Sequence, residues 1–215
     1  MGENSSDMKY EIEVKFKNAD LASVRRRLAA AGGVRLGRRF ERNEVFDDAA
    51  RSLRGRGVLL RLRDDGRALL TIKAPVPAGE GGLLSAAGTG GGLKIRQEYE
   101  SGVTDLAAVR AGLLALGYEE ALAYEKVREE WSFMDCHVCL DRLSFGDFLE
   151  VEGEEEAIRA CAAALELDPA QASAENYHTL HARWRAAQGL SPQDSFVFVG
   201  AAREEALALF REDFT

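Results

Sequence analysis

Charge and apolarity alternate residue by residue in this chain. Between Tyr10 and Phe16, Glu11, Glu13 and Lys15 interleave with Ile12, Val14 and Phe16. Successive side chains of an extended strand point to opposite faces, so this spacing gives one strand a charged face and an apolar face. The pattern recurs with Arg61 and Arg63 against Leu60 and Leu62, and with Thr71 and Lys73 against Leu70 and Ile72. It returns with Arg96, Glu98 and Glu100 against Ile95, Gln97 and Tyr99, with Lys126 and Arg128 around Val127, and with Glu150 and Glu152 around Val151. Glu129 and Glu130 blur the edge of the Lys126 strand. A fold built from such strands must cover the apolar faces and give the charged faces water or counter-charge.

The strands expected on this pattern are Tyr10 to Phe16, Phe40 to Asp47, Val58 to Arg63, Ala68 to Ala74, Lys94 to Glu100, Tyr124 to Met134, Cys136 to Asp141 and Asp147 to Glu152. Asp64-Asp65-Gly66 and Ser144-Phe145-Gly146 are hairpin signals between consecutive strands. Helical periodicity separates them. Asp20 caps a helix with Leu21, Val24 and Leu28 on one face, and Asp105 to Leu116 repeats the form. Ala157 to Leu167, Ala172 to Gln188 and Glu204 to Arg211 are the remaining helices. The expected fold class is α+β: an eight-stranded antiparallel β-barrel, or tunnel, with helices packed on the outside. Pro75 to Gly92, rich in glycine, reads as a loop between two strands.

Function classes narrow on charge and composition. The 215 residues carry a net charge of −8, the wrong sign for a nonspecific nucleic-acid binder, so no nucleic-acid partner is expected. No apolar run reaches the roughly 20 residues that cross a bilayer. The polar start MGENSSDMKY lacks the apolar stretch of a signal peptide, so a cytoplasmic location without membrane contact is expected. Met1-Gly2 with Ser6 matches only a loose myristoylation pattern. Cys136, Cys139 and Cys161 are odd in number and read as reduced, buried thiols; the C-x-x-C around His137 lacks a second ligand pair for a closed zinc site.

The charged faces are dominated by Glu, Arg and Lys, with Arg in excess of Lys. A solvated sheet face is one explanation. The other is a barrel interior whose charges answer a polyanion and a metal, since Arg recognises phosphate bidentately and carboxylates hold hard cations. A P-loop at Gly88 to Lys94 is excluded, because no Ser or Thr follows Lys94. Glu175, His178 and His181 have a spacing that would place a metal on a helix, but lack matching carboxylates elsewhere. Trp131, Trp184 and Tyr177 read as core or helix–barrel contacts.

The series Glu11-x-Glu13-x-Lys15, Leu60 to Arg63, Thr71 to Lys73, Arg96 to Glu100, Lys126 to Arg128 and Val138 to Glu152 resembles the CYTH superfamily, the triphosphate tunnel metalloenzymes. That resemblance spans Tyr10 to about Gly189 and implies a tunnel domain over 1–190, with 191–215 a C-terminal extension packed on it. It also implies a small-molecule triphosphate substrate (tripolyphosphate, thiamine triphosphate or ATP), Mg²⁺ or Mn²⁺ as cofactor, and leaves a homodimer open. Glu11, Glu13, Glu98, Glu100, Glu150 and Glu152 would hold the metal. Lys15, Arg61, Arg63, Lys73, Arg96, Lys126 and Arg128 would bind the triphosphate, with Lys73, Lys126 and Asp141 as the catalytic set.

Two departures from the family's cyclase branch are visible. Ser5 and Ser6 stand where class IV adenylyl cyclases carry His-Phe, and the second strand reads Glu41-Arg42-Asn43-Glu44-Val45-Phe46-Asp47 instead of Q-x-D-x-Y-F-D. The resemblance therefore implies a triphosphatase first and an adenylyl cyclase second. A phosphoryl-ligand binder without turnover is the third reading, disfavoured because carboxylates repel an anionic ligand.

Overall fold

The computed structural model describes residues 9–76 and 93–211. Ser5, Ser6 and all but the first two residues of the expected loop over 75–92 lie outside the described residues. Eight main strands are present: β1 (Lys9–Lys17), β2 (Val34–Asp47), β3 (Leu59–Asp64), β4 (Ala68–Ala74), β5 (Leu93–Val103), β6 (Glu119–Phe133), β7 (Cys136–Leu143) and β8 (Gly146–Glu152). They pair in the order β5-β4-β3-β2-β6-β7-β8-β1, and β1 pairs back with β5, which closes an antiparallel barrel. A two-residue strand, β9 (Ala172–Ser173), adds to β1.

Both predicted hairpins form, with Asp64 opposite Ala68 and Leu143 opposite Gly146. The β6–β7 turn is one residue longer than expected. Met134 and Asp135 both take positive φ, 50° and 58°, so β6 ends at Phe133 and the pair makes a primed two-residue turn. β2 starts at Val34, six positions before the expected Phe40, because its first half pairs along β6 across a bulge at Arg35/Gly37.

Register decides which side chains meet, because residues directly opposite in a pair share a face. Glu13 stands opposite Glu152 on one side and Lys94 on the other, and Lys15 opposite Glu150. Lys73 faces Glu98, Lys126 faces Glu41, and Arg128 faces Arg39 and Asp141. All of these belong to the inner face. The alternates Ile12, Val14, Phe16, Val138, Leu140, Leu149 and Val151 are buried outside the barrel wall, as the alternation requires.

Helices supply that cover. α1 (Leu21–Ala30) is capped by Asp20, whose Oδ1 accepts from Ser23 N at 3.1 Å, and it buries Leu21, Val24 and Leu28. α4 (Glu155–Ala164) adds Ile158 and Cys161 to the same cluster. Each of its fully buried aliphatic side chains, such as Leu28, Leu149 and Leu165, contributes roughly 1.5–3 kcal/mol. The short α2 (Ser52–Gly55) places Leu53, and α3 (Leu106–Ala115) brings Leu106, Val109 and Leu113, against Phe46, Leu60 and Leu62.

α5 (Tyr177–Ala187) is shorter than the predicted Ala172 to Gln188, because Asn176 caps it by accepting from Thr179 N at 2.8 Å. Glu175 therefore lies outside the helix. After α5 the chain returns to the barrel: Phe196 N donates to Ala123 O at 3.0 Å, and Glu125 N to Phe196 O at 3.2 Å. Phe196 packs with Tyr124, Phe148, Tyr177 and Leu180. Phe198 and Ala206, the latter in α6 (Gly200–Arg211), cover Val127. Among the described residues no helix is long and apolar enough to cross a membrane.

Candidate functional site

The barrel encloses a cavity of about 580 Å³ that runs from Asp47 and Arg54 at one end to Asp65, Glu130 and His137 at the other. Lys and Arg side chains slightly outnumber carboxylates on its lining, the reverse of the whole chain, which has 28 basic against 36 acidic residues. The cavity of an acidic protein is thus close to balanced in charge, with a large share of the basic groups on its lining. Closure turns the faces that carry Glu11, Glu13, Lys15, Lys73, Lys126 and Arg128 inward, and the apolar faces keep the wall in place.

One wall is built by β1, β4, β5 and β8. Lys73 Nζ sits 2.5 Å from both carboxylate oxygens of Glu11 and 3.5 Å from Glu98. Lys15 Nζ is 2.5 Å from Glu150 and 3.8 Å from Glu13, while Lys94 donates to Glu13 at 2.9 Å. Burial alone would raise the Glu13 carboxyl, but Lys15, Lys94 and Lys73 outweigh it and hold it at about 2. Burial likewise works against the Lys73 ammonium, yet Glu11 and Glu98 keep it above the ordinary lysine range. Glu13 and Lys73 therefore remain charged at neutral pH, whereas burial pushes the Glu11 carboxyl up against the pull of Lys73.

The opposite wall is a cluster of cations on β2, β3 and β6. Asp141, 0% exposed, accepts from Lys126 at 3.0 Å, from Arg128 at 2.7 and 2.5 Å, and from the Tyr177 hydroxyl at 2.7 Å. Tyr177, carried in by α5, also lays its ring under Lys15 and Lys126, 4.5 and 5.5 Å from their Nζ atoms. Arg128 reaches Glu150 as well. Arg61 donates to Tyr124 Oη at 3.1 Å and Thr71 Oγ1 at 3.2 Å. Arg63 pairs with Glu100 at 3.4 Å, and Arg96 donates to Gly57 O at 2.6 Å.

The structure therefore brings all the sequence-predicted site residues to one cavity, with one difference: Asp141 lies behind the lining. Bonded by two cations and a phenol, it fixes Lys126 and Arg128 from behind the surface that a substrate would touch. Sequence reasoning missed Arg39, Glu41 and Lys94 on the lining. Glu41 is 1% exposed; burial would raise its carboxyl, but Lys126, Arg128, Arg63 and Arg61 hold it at about 2. The missed signal was phase, since Arg39 and Glu41 continue one face of β2 and Lys94 shares a face with Arg96.

The helical trio does not converge. Glu175 bonds Arg183, His178 pairs with Asp194 at 2.8 Å, and His181 is buried against Phe145, Trp184 and Phe196. Trp131 is a core residue, as expected.

The donor chemistry fits a hard divalent cation. Glu13 and Glu152 are direct cross-strand partners, and Glu11 and Glu150 lie one step away on the same two strands. Like charges directly opposite each other destabilise a sheet unless a cation lies between them. Carboxylate oxygens are the hard donors that Mg²⁺ and Mn²⁺ take, one or two at a time with phosphate oxygens completing the shell; here Glu11, Glu13 and Glu150 pair with Lys73, Lys94, Lys15 and Arg128.

The chain matches the model of the CYTH domain over residues 9–179. It is 28% identical over 144 residues to a Methanocaldococcus jannaschii protein named "Putative adenylate cyclase", covering 66% of this chain and 75% of that one. A Vibrio parahaemolyticus "putative adenylate cyclase" superposes with TM-score 0.68 at 19% identity, over 81% of this chain and 99% of the other. A Hippeastrum protein described as a putative adenylyl cyclase with a dominant triphosphatase activity superposes with TM-score 0.53 at 15% identity, over 85% and 97% of the two chains. The sequence series, the closed barrel and the family match agree: the chain belongs to the CYTH domain family.

Proposed function

We propose that this chain is a Mg²⁺- or Mn²⁺-dependent hydrolase of a small triphosphate: tripolyphosphate, thiamine triphosphate or a nucleoside triphosphate. The observation that carries the reading is the gathering of Lys15, Arg61, Arg63, Lys73, Arg96, Lys126 and Arg128 around a carboxylate set inside one cavity of an acidic protein. Basic side chains alone would make an anion receptor. Carboxylates among them add nothing to that unless a metal mediates.

Glu11, Glu13, Glu150 and Glu152 would hold the ion, which supplies Lewis-acid polarisation of phosphoryl oxygens and a lowered pKa for bound water. The chain's own part is to grip and orient. Lys73, Lys126, Arg61 and Arg128 neutralise charge on the phosphate oxygens, and Asp141 and Tyr177 keep Lys126 and Arg128 aimed into the cavity.

A second reading has one observation in its favour. Val45, Val58, Leu122 and Phe196 make part of the lining apolar, a surface for the organic part of a substrate such as a nucleoside. That suits ATP, and with it the cyclase chemistry in which a ribose hydroxyl attacks the α-phosphorus. The Hippeastrum relative supports hydrolysis even where a cyclase name is attached.

Incubation with Mg²⁺ or Mn²⁺ and each triphosphate separates the two. Orthophosphate release is the expected result, whereas cyclic AMP with pyrophosphate would replace the hydrolase reading. Full turnover by Glu13→Gln would remove the metal assignment.

A further inference from the structure

We infer that the tunnel wall carries a second, soft metal site, formed by Cys139, His137 and Glu130 and suited to zinc or a similar late first-row divalent ion. The C-x-x-C spacing hides it. Residues three apart on a strand face opposite sides, so Cys136 turns outward into the core beside Cys161 while Cys139 faces the cavity side. The pair that shares a face is His137 and Cys139. Pairing across β6 and β8 sets Glu130 opposite Cys139, and Glu152 opposite His137.

The sulfur–nitrogen distance is that of a coordination shell. Cys139 Sγ lies 3.6 Å from His137 Nδ1. Bonds of about 2.3 Å to sulfur and 2.0–2.1 Å to nitrogen at tetrahedral angles put those two atoms roughly 3.6 Å apart, so neither ligand need move. Glu152 Oε2 is 3.9 Å from the same Nδ1, whereas Glu130 Oε1 is 3.3 Å from the other ring nitrogen, Nε2, so Glu130 must swing toward Nδ1 to share an ion with Cys139. One donor atom from each of Glu130, His137 and Cys139 falls within 4.8 Å of the others, which leaves shifts of about 1 Å for the carboxylate arms. Three protein ligands make an open site, and Glu152 or an exogenous ligand would complete four.

Burial and charge agree with this assignment. Cys139 is 2% exposed, whereas the His137 side chain is 34% exposed at the end of the cavity, so an ion has an entry path to a thiol that solvent hardly reaches. A thiolate and two carboxylates are balanced by a divalent ion with Arg39, which pairs with Glu130. The softness of the donors separates this site from the four-carboxylate set: sulfur and imidazole favour zinc, and carboxylates favour magnesium.

Titration of the reduced full-length chain with Co²⁺ tests the site directly. One equivalent should produce a thiolate-to-cobalt charge-transfer band that Zn²⁺ displaces and excess Mg²⁺ does not. Cys139→Ser should abolish the band. His137→Gln and Glu130→Gln should weaken binding by at least about tenfold, the lower bound for losing even an outer-shell partner. Cys161→Ser and Glu13→Gln should leave the band intact. A zinc-edge X-ray absorption spectrum of the unsubstituted protein reads the same shell without any variant and should show one sulfur with nitrogen and oxygen neighbours. An all-nitrogen-and-oxygen shell, or a cobalt band that survives Cys139→Ser, overturns the assignment.

Discussion

Replacing Asp141 with Asn tests whether the cation wall is held by a single buried carboxylate. The substitution keeps the volume and one acceptor oxygen, but removes the charge on which Lys126, Arg128 and Tyr177 converge. It also points amide hydrogens at guanidinium and ammonium hydrogens. Breaking a buried ion pair from one side costs about 3–5 kcal/mol, because the partner charge is left uncompensated. Glu150 and Glu41 remain near Arg128 and Lys126, so the lower end of that range applies, about 3 kcal/mol. In a chain of this size each kcal/mol moves the melting midpoint by about 2–4 °C, which gives a fall on the order of 10 °C. Tyr177→Phe should fall by about half as much: it loses one hydrogen bond to a charged acceptor, about 1.5 kcal/mol at the low end, but keeps the ring under Lys15 and Lys126. Thermal denaturation followed by circular dichroism measures both, and the double variant should show coupling, since both substitutions remove the same bond. A midpoint for Asp141→Asn within about 2 °C of the parent would refute the reasoning and mean that the cations are held by the other carboxylates.

Other consequences can be measured on the same protein. Burial alone would raise Glu129, but hydrogen bonds from Arg25, Arg38 and Trp131 hold its carboxyl at about 2, below the unfolded value of about 4.3. Its contribution to stability is therefore complete above about pH 4.3 and lost as pH falls through 2; an acid titration of unfolding free energy should show that limb, and Glu129→Gln should reduce it. Phe196→Ala should cost about 3–5 kcal/mol in a urea melt, since the ring is buried against Tyr124 and His181. Val199→Ala, at 71% exposed, should stay within about 0.5 kcal/mol. Gly57→Ala should lose roughly 1–2 kcal/mol, because φ is +69° and the new Cβ would stand 3.2 Å from Pro75 Cγ.

Strand phase and charge type made much of the barrel legible in the sequence. Glu11, Glu13 and Lys15 required an inner face, and Ile12, Val14 and Phe16 required a cover. What stayed hidden depended on partners far along the chain. Glu129 looked like noise on the edge of its strand. It points outward and is clamped by Arg25 from α1 and Arg38 from β2, about a hundred residues upstream. Glu125 is a parallel case, satisfied by Arg42 and by Phe198 N. Phase puts both on the face opposite Lys126 and Arg128; what no local pattern shows is which arginine arrives from elsewhere to neutralise a carboxylate buried there. Tyr177 was read as packing, and only the placement of α5 shows that its hydroxyl belongs to the Asp141 network.

The return of β1 onto β5 limits how this protein can change. In an open sheet an outer strand can slip by one residue and pair again. Here every main strand is gripped on both sides, so a single insertion within β6 would exchange its two faces, sending Lys126 and Arg128 outward and Val127 into the tunnel. Length variation should therefore collect at the hairpin tips, such as Asp65-Gly66 and Ser144-Phe145, where an added residue leaves the phase of both strands untouched. The ring behaves as a combination lock whose wheels turn only together, and the charged interior can drift in sequence but not in step.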